Sequence, residues 1–169
     1  MRSTRKRALA SAGEEESKGL RDGVAMVLDM MRDTLGKEGL EVISSATYLA
    51  HLIPGPGPLT KRRPDAALLA DAALGWKAAK ALAGVDVGQS VVVQGKAVVA
   101  VEAMEGTDAT VRRAAELVRS NGDTPRLVLV KVAKPRQDFR FDLPVLGLDT
   151  LKVLAECGAA GLAFEAGET

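Results

Sequence analysis

Residues Ser90–Val101 read SVVVQGKAVVAV. Two apolar, β-branched runs, Ser90 to Val93 and Ala97 to Val101, are separated only by Gln94, Gly95 and Lys96, and this spacing predicts a tight β-hairpin. Working outward, Val101–Asp108 (VEAMEGTD) ends the second run and opens a helix predicted to reach about Asn121. The run Leu127 to Val130 (LVLV) has no polar face and predicts a buried strand. A charged connection, a helix near Asp149–Cys157 and a last strand over Gly161–Phe164 follow. Upstream, a helix is predicted from about Pro64, a residue suited to a first helical turn, to Leu82, with Leu68, Leu69, Ala72, Ala73, Trp76 and Ala79 on its apolar side. Before it come a helix from Leu20 to Gly39, a short strand over Leu40–Ser44 (LEVIS), one or two helical turns over Ala46–Leu52, and a shaped Pro/Gly loop over Ile53–Leu59. Strands alternate with helices apart from the one hairpin, so the predicted fold is α/β: a mixed sheet with one β-hairpin and helices packed on it.

At 169 residues, with 47% hydrophobic and 27% charged residues, the chain has the composition of a soluble globular domain, and 3% aromatics makes its core aliphatic. Lys and Arg number 23 against 22 Asp and Glu, so no global basic field recruits nucleic acid, and any anion site must be local. The single cysteine, Cys157, sits in an apolar helical stretch and reads as a buried thiol; without a disulfide framework a reducing, cytoplasmic setting is expected. The single histidine, His51, rules out His-rich metal sites and reads as structural or partly exposed. Residues 1–19 carry Arg2, Arg5, Lys6 and Arg7 and then Glu14, Glu15 and Glu16 with little apolar content, which predicts a disordered or linker-like leader ahead of a domain over 20–169. No apolar run approaches a membrane span.

The charged connection, Lys131–Pro144 (KVAKPRQDFRFDLP), gathers Lys131, Lys134, Arg136 and Arg140 with Asp138 and Asp142, far more charge than a plain connection needs. Cations of this kind hold phosphate oxygens, and carboxylates hold a divalent metal or orient a water. The VEAMEGTD segment offers a second set. Gly106 frees the backbone, Thr107 or Asp108 can cap the helix, and Glu102 and Glu105 add carboxylates, although ordinary N-capping explains Gly-Thr-Asp equally well. Both segments follow strands, and in open α/β sheets ligands collect beyond the carboxyl ends of strands. If the two converge, Lys131, Lys134 and Arg140 would neutralise phosphate while Asp138, Asp142 and Glu105 bind a Mg²⁺-type ion or activate water; the alternative is a surface salt-bridge network. Lys61, Arg62 and Arg63 read chiefly as a solvated patch, and no Walker-type loop, HExxH or CxxC pair occurs.

The strings DVGQSVVVQGKAVVAVEAMEGTDATVRRA (Asp86–Ala114) and LVKVAKPRQDFRFDLPVLGLDTLKVLAECGAAGLAFEAG (Leu129–Gly167) carry long and unusual EGTD and KPxQDxRxDLP motifs. They closely resemble the carboxyl-terminal domain of the LpxI-type UDP-2,3-diacylglucosamine pyrophosphatases, and the likeness extends over nearly all of the chain after Leu20. It implies hydrolysis of UDP-2,3-diacylglucosamine to UMP and 2,3-diacylglucosamine 1-phosphate (lipid X) in lipid A biosynthesis. The setting would be cytoplasmic, in Gram-negative bacteria, with Mg²⁺ or another divalent cation, peripheral contact with inner-membrane lipid substrate, and a homodimer. The family's essential acid lies in its QDxRxDLP segment and maps to Asp138 or Asp142, with Asp138 favoured. Together with the charge inventory of the two loops, this leads us to expect Gly106, Thr107, Lys131, Lys134, Gln137 and Arg140 to bind substrate, and Glu105, Asp108 and Asp138 to hold metal. Family members also carry a Rossmann-like amino-terminal domain and continue past the final EAG, and this sequence is expected to lack both. A non-catalytic phosphate- or nucleotide-binding domain, or an interaction domain, therefore stands as the alternative.

Overall fold

Gly95 and Lys96 adopt φ of 60° and 62°, and two successive positive φ values make the hairpin turn type I′, whose twist matches that of the strands it joins. A lysine in that conformation costs energy, and the compensation comes from elsewhere in the chain. The buried carboxylate of Asp71 accepts the N–H of Gly95 at 3.0 Å and that of Lys96 at 2.6 Å. The predicted hairpin is therefore present, as β1 (Ser90–Gln94) and β2 (Ala97–Val101), with its turn held from a helix.

The computed structural model describes residues 26–135 and 143–169. The chain divides into two compact units, Met1–Ile43 and Ser44–Thr169. In the first, helix α1 covers residues 26–37 and ends in a Schellman arrangement: Gly39 has φ 76°, Leu40 N–H bonds to Leu35 C=O at 3.0 Å and Gly39 N–H to Gly36 C=O at 3.1 Å. The strand predicted over Leu40–Ser44 is not formed. Its alternating pattern suits extended backbone, but a strand also needs a ladder partner, and no described segment pairs with this one. The predicted leader, 1–19, lies outside the described residues.

The second unit begins with two 3₁₀ turns, Ser45–Thr47 and Ala50–Leu52, in agreement with the helical turns expected there. The elements α2 (Ala66–Gly84), β1, β2, α3 (Thr107–Ser120), β3 (Leu127–Lys131), α4 (Leu148–Glu156) and β4 (Ala159–Phe164) follow. The sheet order is β2-β1-β3-β4; β1 is antiparallel to both neighbours and β3 is parallel to β4. This is the predicted mixed α/β architecture.

Strand alternation sends each residue of β1 and β3 to one of two covered faces. Val92, Leu127 and Leu129 pack with Val111, Ala114, Ala115 and Val118 of α3 and with Val153, Leu154 and Cys157 at α4. Val91, Val93, Val128 and Val130 pack against Ala79 and Ala83 of α2. All five residues of β3 are buried, which is why LVLV shows no polar face. The buried stripe of α2 is Asp71, Gly75, Ala79 and Ala83, whereas Leu69 and Trp76, expected on the apolar side, lie exposed. The helix is apolar over most of its circumference, so its sequence offers little angular contrast; backbone approach to the sheet selects the small residues. Gly75 is the closest point: a Cβ there would lie 2.5 Å from Val130 Cγ2.

Candidate functional site

Because β1 runs against both neighbours, the carboxyl ends of β2, β3 and β4 and the start of β1 share one edge of the sheet. Ser90 pairs directly with Lys131, and Glu102 N–H bonds to Ser90 C=O at 2.9 Å, so three polar residues stand in a row across β2, β1 and β3. They share the face covered by α3. All three are buried, Ser90 to 1% and Glu102 and Lys131 to 7% exposure, unusual for such side chains without partners.

Thr107, the first residue of α3, supplies the link. Its Oγ1 donates to Glu102 Oε1 at 2.9 Å and lies 3.3 Å from both Lys131 Nζ and Ser90 Oγ. A hydroxyl has one proton to give; with Glu102 taking it, Lys131 and Ser90 approach as donors. Lys131 Nζ also donates to Val145 C=O at 3.1 Å, which ties the end of β3 to the approach to α4. Glu102 Oε2 is buried without a hydrogen-bond partner among the described residues. The helix cap differs from expectation: Gly106, φ 83°, occupies the N-cap with no capping side chain, so the Thr107 hydroxyl is directed at Glu102 and Lys131.

The EGTD and KVAKP strings therefore meet through Thr107 and Lys131, beside the backbone of Gly106. The other described candidates engage different partners. Glu105 accepts from Ala103 N–H at 3.0 Å and pairs with Arg113 at 2.6 Å; its own backbone amide, then Arg113, then Ala103 hold its carboxyl below the usual range. Asp108 accepts from Thr150 Oγ1 at 2.8 Å, a clasp between α3 and α4. Lys134 reaches Asp86 at 2.6 Å. Asp138, Asp142, Gln137 and Arg140 lie outside the described residues. Among the described residues no three Asp, Glu, His or Cys side chains gather so as to hold a metal ion. His51 is exposed, and Lys61, Arg62 and Arg63 lie on the surface.

A second polar group, on the α2 side of the same edge, was not singled out from sequence. Glu165, just past β4, receives Lys80 Nζ of α2 on both carboxylate oxygens at 2.6 Å and the N–H of Ala133 on Oε2 at 2.8 Å. Lys80 Nζ also lies 3.5 Å from Ala133 C=O and 5.5 Å from the centre of the Trp76 ring. Lys80 and Glu165 stand 85 residues apart, so no local motif marks them. Glu102 and Ser90 were equally hard to weigh, since only strand pairing shows that a glutamate beyond one strand and a serine opening another face a common lysine.

Residues 55–169 match the family described as LpxI C-terminal domain. Over 150 residues the chain is 36% identical to a protein of Caulobacter vibrioides named UDP-2,3-diacylglucosamine pyrophosphatase LpxI, a match that covers 87% of this chain and 54% of that relative. The chain thus spans about half the length of the curated relative it matches. Among the described residues no helix is long and apolar enough to cross a membrane. The family match and the identity together show that this chain belongs to the LpxI C-terminal domain family.

Proposed function

We propose that the chain hydrolyses the pyrophosphate of UDP-2,3-diacylglucosamine to UMP and 2,3-diacylglucosamine 1-phosphate, a step of lipid A biosynthesis. The activity for which the Caulobacter vibrioides relative is named supports the substrate. The observation that carries the reading is the buried Lys131 ammonium, held by Thr107 and Val145 at the sheet edge where the strand that leads into the KPxQDxRxDLP segment meets the EGTD turn. A cation fixed in a water-poor site stabilises charge on phosphate oxygens far better than one in bulk solvent. Lys131 with the Gly106–Thr107 turn would orient the diphosphate, and Asp138 or Asp142 would orient the attacking water and take its proton, with Gln137, Arg140 and Lys134 at the loop's phosphate contacts. The reading includes Mg²⁺, which when bound would screen phosphate charge as a Lewis acid. The described carboxylates fit it only in part: Arg113 and Thr150 engage Glu105 and Asp108, and Glu102 Oε2 is the buried carboxylate oxygen left unmatched. Cytoplasmic action on a membrane-borne substrate, in a Gram-negative bacterium and as a homodimer, belongs to the same proposal.

One observation favours a second reading, a phosphate- or nucleotide-binding domain without turnover: Glu105 and Asp108, two of the expected metal ligands, are engaged by Arg113 and Thr150. Incubating the purified chain with UDP-2,3-diacylglucosamine and Mg²⁺ while following UMP release separates the two. Turnover abolished by Asp138→Ala supports hydrolysis; saturable UMP binding with no turnover supports the second reading.

A further inference from the structure

The backbone ladder between β3 and β4 ends at the pair Lys131 and Phe164, yet the next buried amide on the β4 side, that of Ala133, is not left to water. Ala133 is 4% exposed, and its N–H is taken by the Glu165 side chain, whose backbone has just left β4. Lys80 closes the arrangement by contacting both that carboxylate and the Ala133 carbonyl, so one peptide residue is gripped at its donor and its acceptor. The neighbouring positions are held as well: Val132 N–H bonds to Gln89 C=O at 2.9 Å and Lys134 pairs with Asp86.

We infer that Glu165 and Lys80 are a positioning pair, which holds the exit of β3 so that Lys131 meets Thr107. The kinetic part of this inference rests on the hydrolase reading above. Lys131 shares the α3 face with Leu127 and Leu129, whereas Glu165 shares the α2 face with Ala163, so the pair reaches the Ala133 backbone from the side opposite the Lys131 side chain. A pair serving only stability would need Lys80 and Glu165 to attract each other. Here Glu165 Oε2 is shared with a buried backbone amide, and removing it leaves that amide unsatisfied. Stacking of Lys80 over Trp76 further restricts where the ammonium can sit.

The test uses the full chain, with Glu165→Ala, Glu165→Gln and the exchanged pair Lys80→Glu with Glu165→Lys. Residue-resolved amide hydrogen exchange is read at Ala133, together with kcat and KM for UMP release and the thermal midpoint. Glu165→Ala should speed Ala133 exchange at least about tenfold, the size of one charge-assisted hydrogen bond, and lower kcat about tenfold while moving KM less. Glu165→Gln keeps an acceptor oxygen and should recover much of the protection. The exchanged pair restores the attraction but presents an ammonium to the amide, so its midpoint should recover while Ala133 exchange stays fast and kcat stays low. Recovery of Ala133 protection and kcat in the exchanged pair, or unchanged Ala133 exchange in Glu165→Ala, would overturn the inference. If the wild-type chain releases no UMP, the hydrolase reading fails, and Ala133 exchange still decides whether the grip exists.

Discussion

Replacing Gly75 by Ala sets two well-understood effects against each other. In a helix interior Ala is favoured over Gly by roughly 1 kcal/mol, so propensity alone predicts a more stable protein. The structure predicts the reverse. The added methyl would lie 2.5 Å from Val130 Cγ2 and 3.1 Å from both Val130 Cβ and Val93 Cγ2, all on fully buried side chains of the two central strands. Neither valine has a flexible end that could swing away, so α2 must lift from the sheet, and overpacking of this kind costs about 1–3 kcal/mol or more. A 2.5 Å approach places the cost in the upper part of that range, about 2–3 kcal/mol, so against the propensity gain of roughly 1 kcal/mol the net expectation is a loss of about 1–2 kcal/mol, with a midpoint lowered by roughly 2–4 °C for each kcal/mol in a protein of this size. Gly84→Ala is the internal control, because nothing lies within 4 Å of its Cβ position and it should be neutral or stabilising. Urea and thermal unfolding followed by circular dichroism measure both variants. A Gly75→Ala protein as stable as the wild type, with Gly84→Ala behaving as expected, would refute the close approach of α2 to β1 and β3.

Asp71→Ala removes the acceptor for both turn amides and should cost about 2 kcal/mol; urea unfolding unchanged from wild type would show that the type I′ turn holds itself. Lys131→Met keeps the buried stem but not the charge, and should lower kcat/KM for UMP release about 100-fold with little change in circular dichroism; an undiminished rate would remove Lys131 from the site. Asp65 caps α2 through Leu68 N–H and pairs with Arg126, and these two contacts, the cap first, hold its carboxyl below the usual range. A lowered folded pKa contributes stability that is present above the unfolded value and lost as pH falls through the folded one. Stability should therefore decline below about pH 4, and Asp65→Asn should flatten part of that decline. An unaltered acid slope in this variant would assign the effect to other carboxylates.

Local chemistry explains which elements could be read in advance. The hairpin was legible because Gly95 sits between two β-branched runs, and β3 because four apolar residues in succession suit a strand covered on both sides. Leu40–Ser44 misled because alternation specifies extended backbone but not a partner. For α2, an apolar circumference hid the stripe that Gly75 and Asp71 define. The candidate site divides along the same line: the charge of KVAKP and the Gly-Thr turn are visible residue by residue, while the roles of Glu102, Ser90 and the Lys80–Glu165 pair depend on distant segments meeting.

The amino-acid sequence by itself determined the element types from Ser45 onward, the aliphatic character of the core and the two motif strings, because dihedral preference and short-range hydrophobic period are properties of neighbours in the chain. Only the tertiary structure decided that β1 lies between β2 and β3, that Lys131 turns toward Thr107 while Ala133 is held from the opposite face, and that Glu105 and Asp108 engage Arg113 and Thr150. Strand order and face are set by burying apolar area across the whole sheet, and a single polar side chain must then find its partner wherever that packing leaves it.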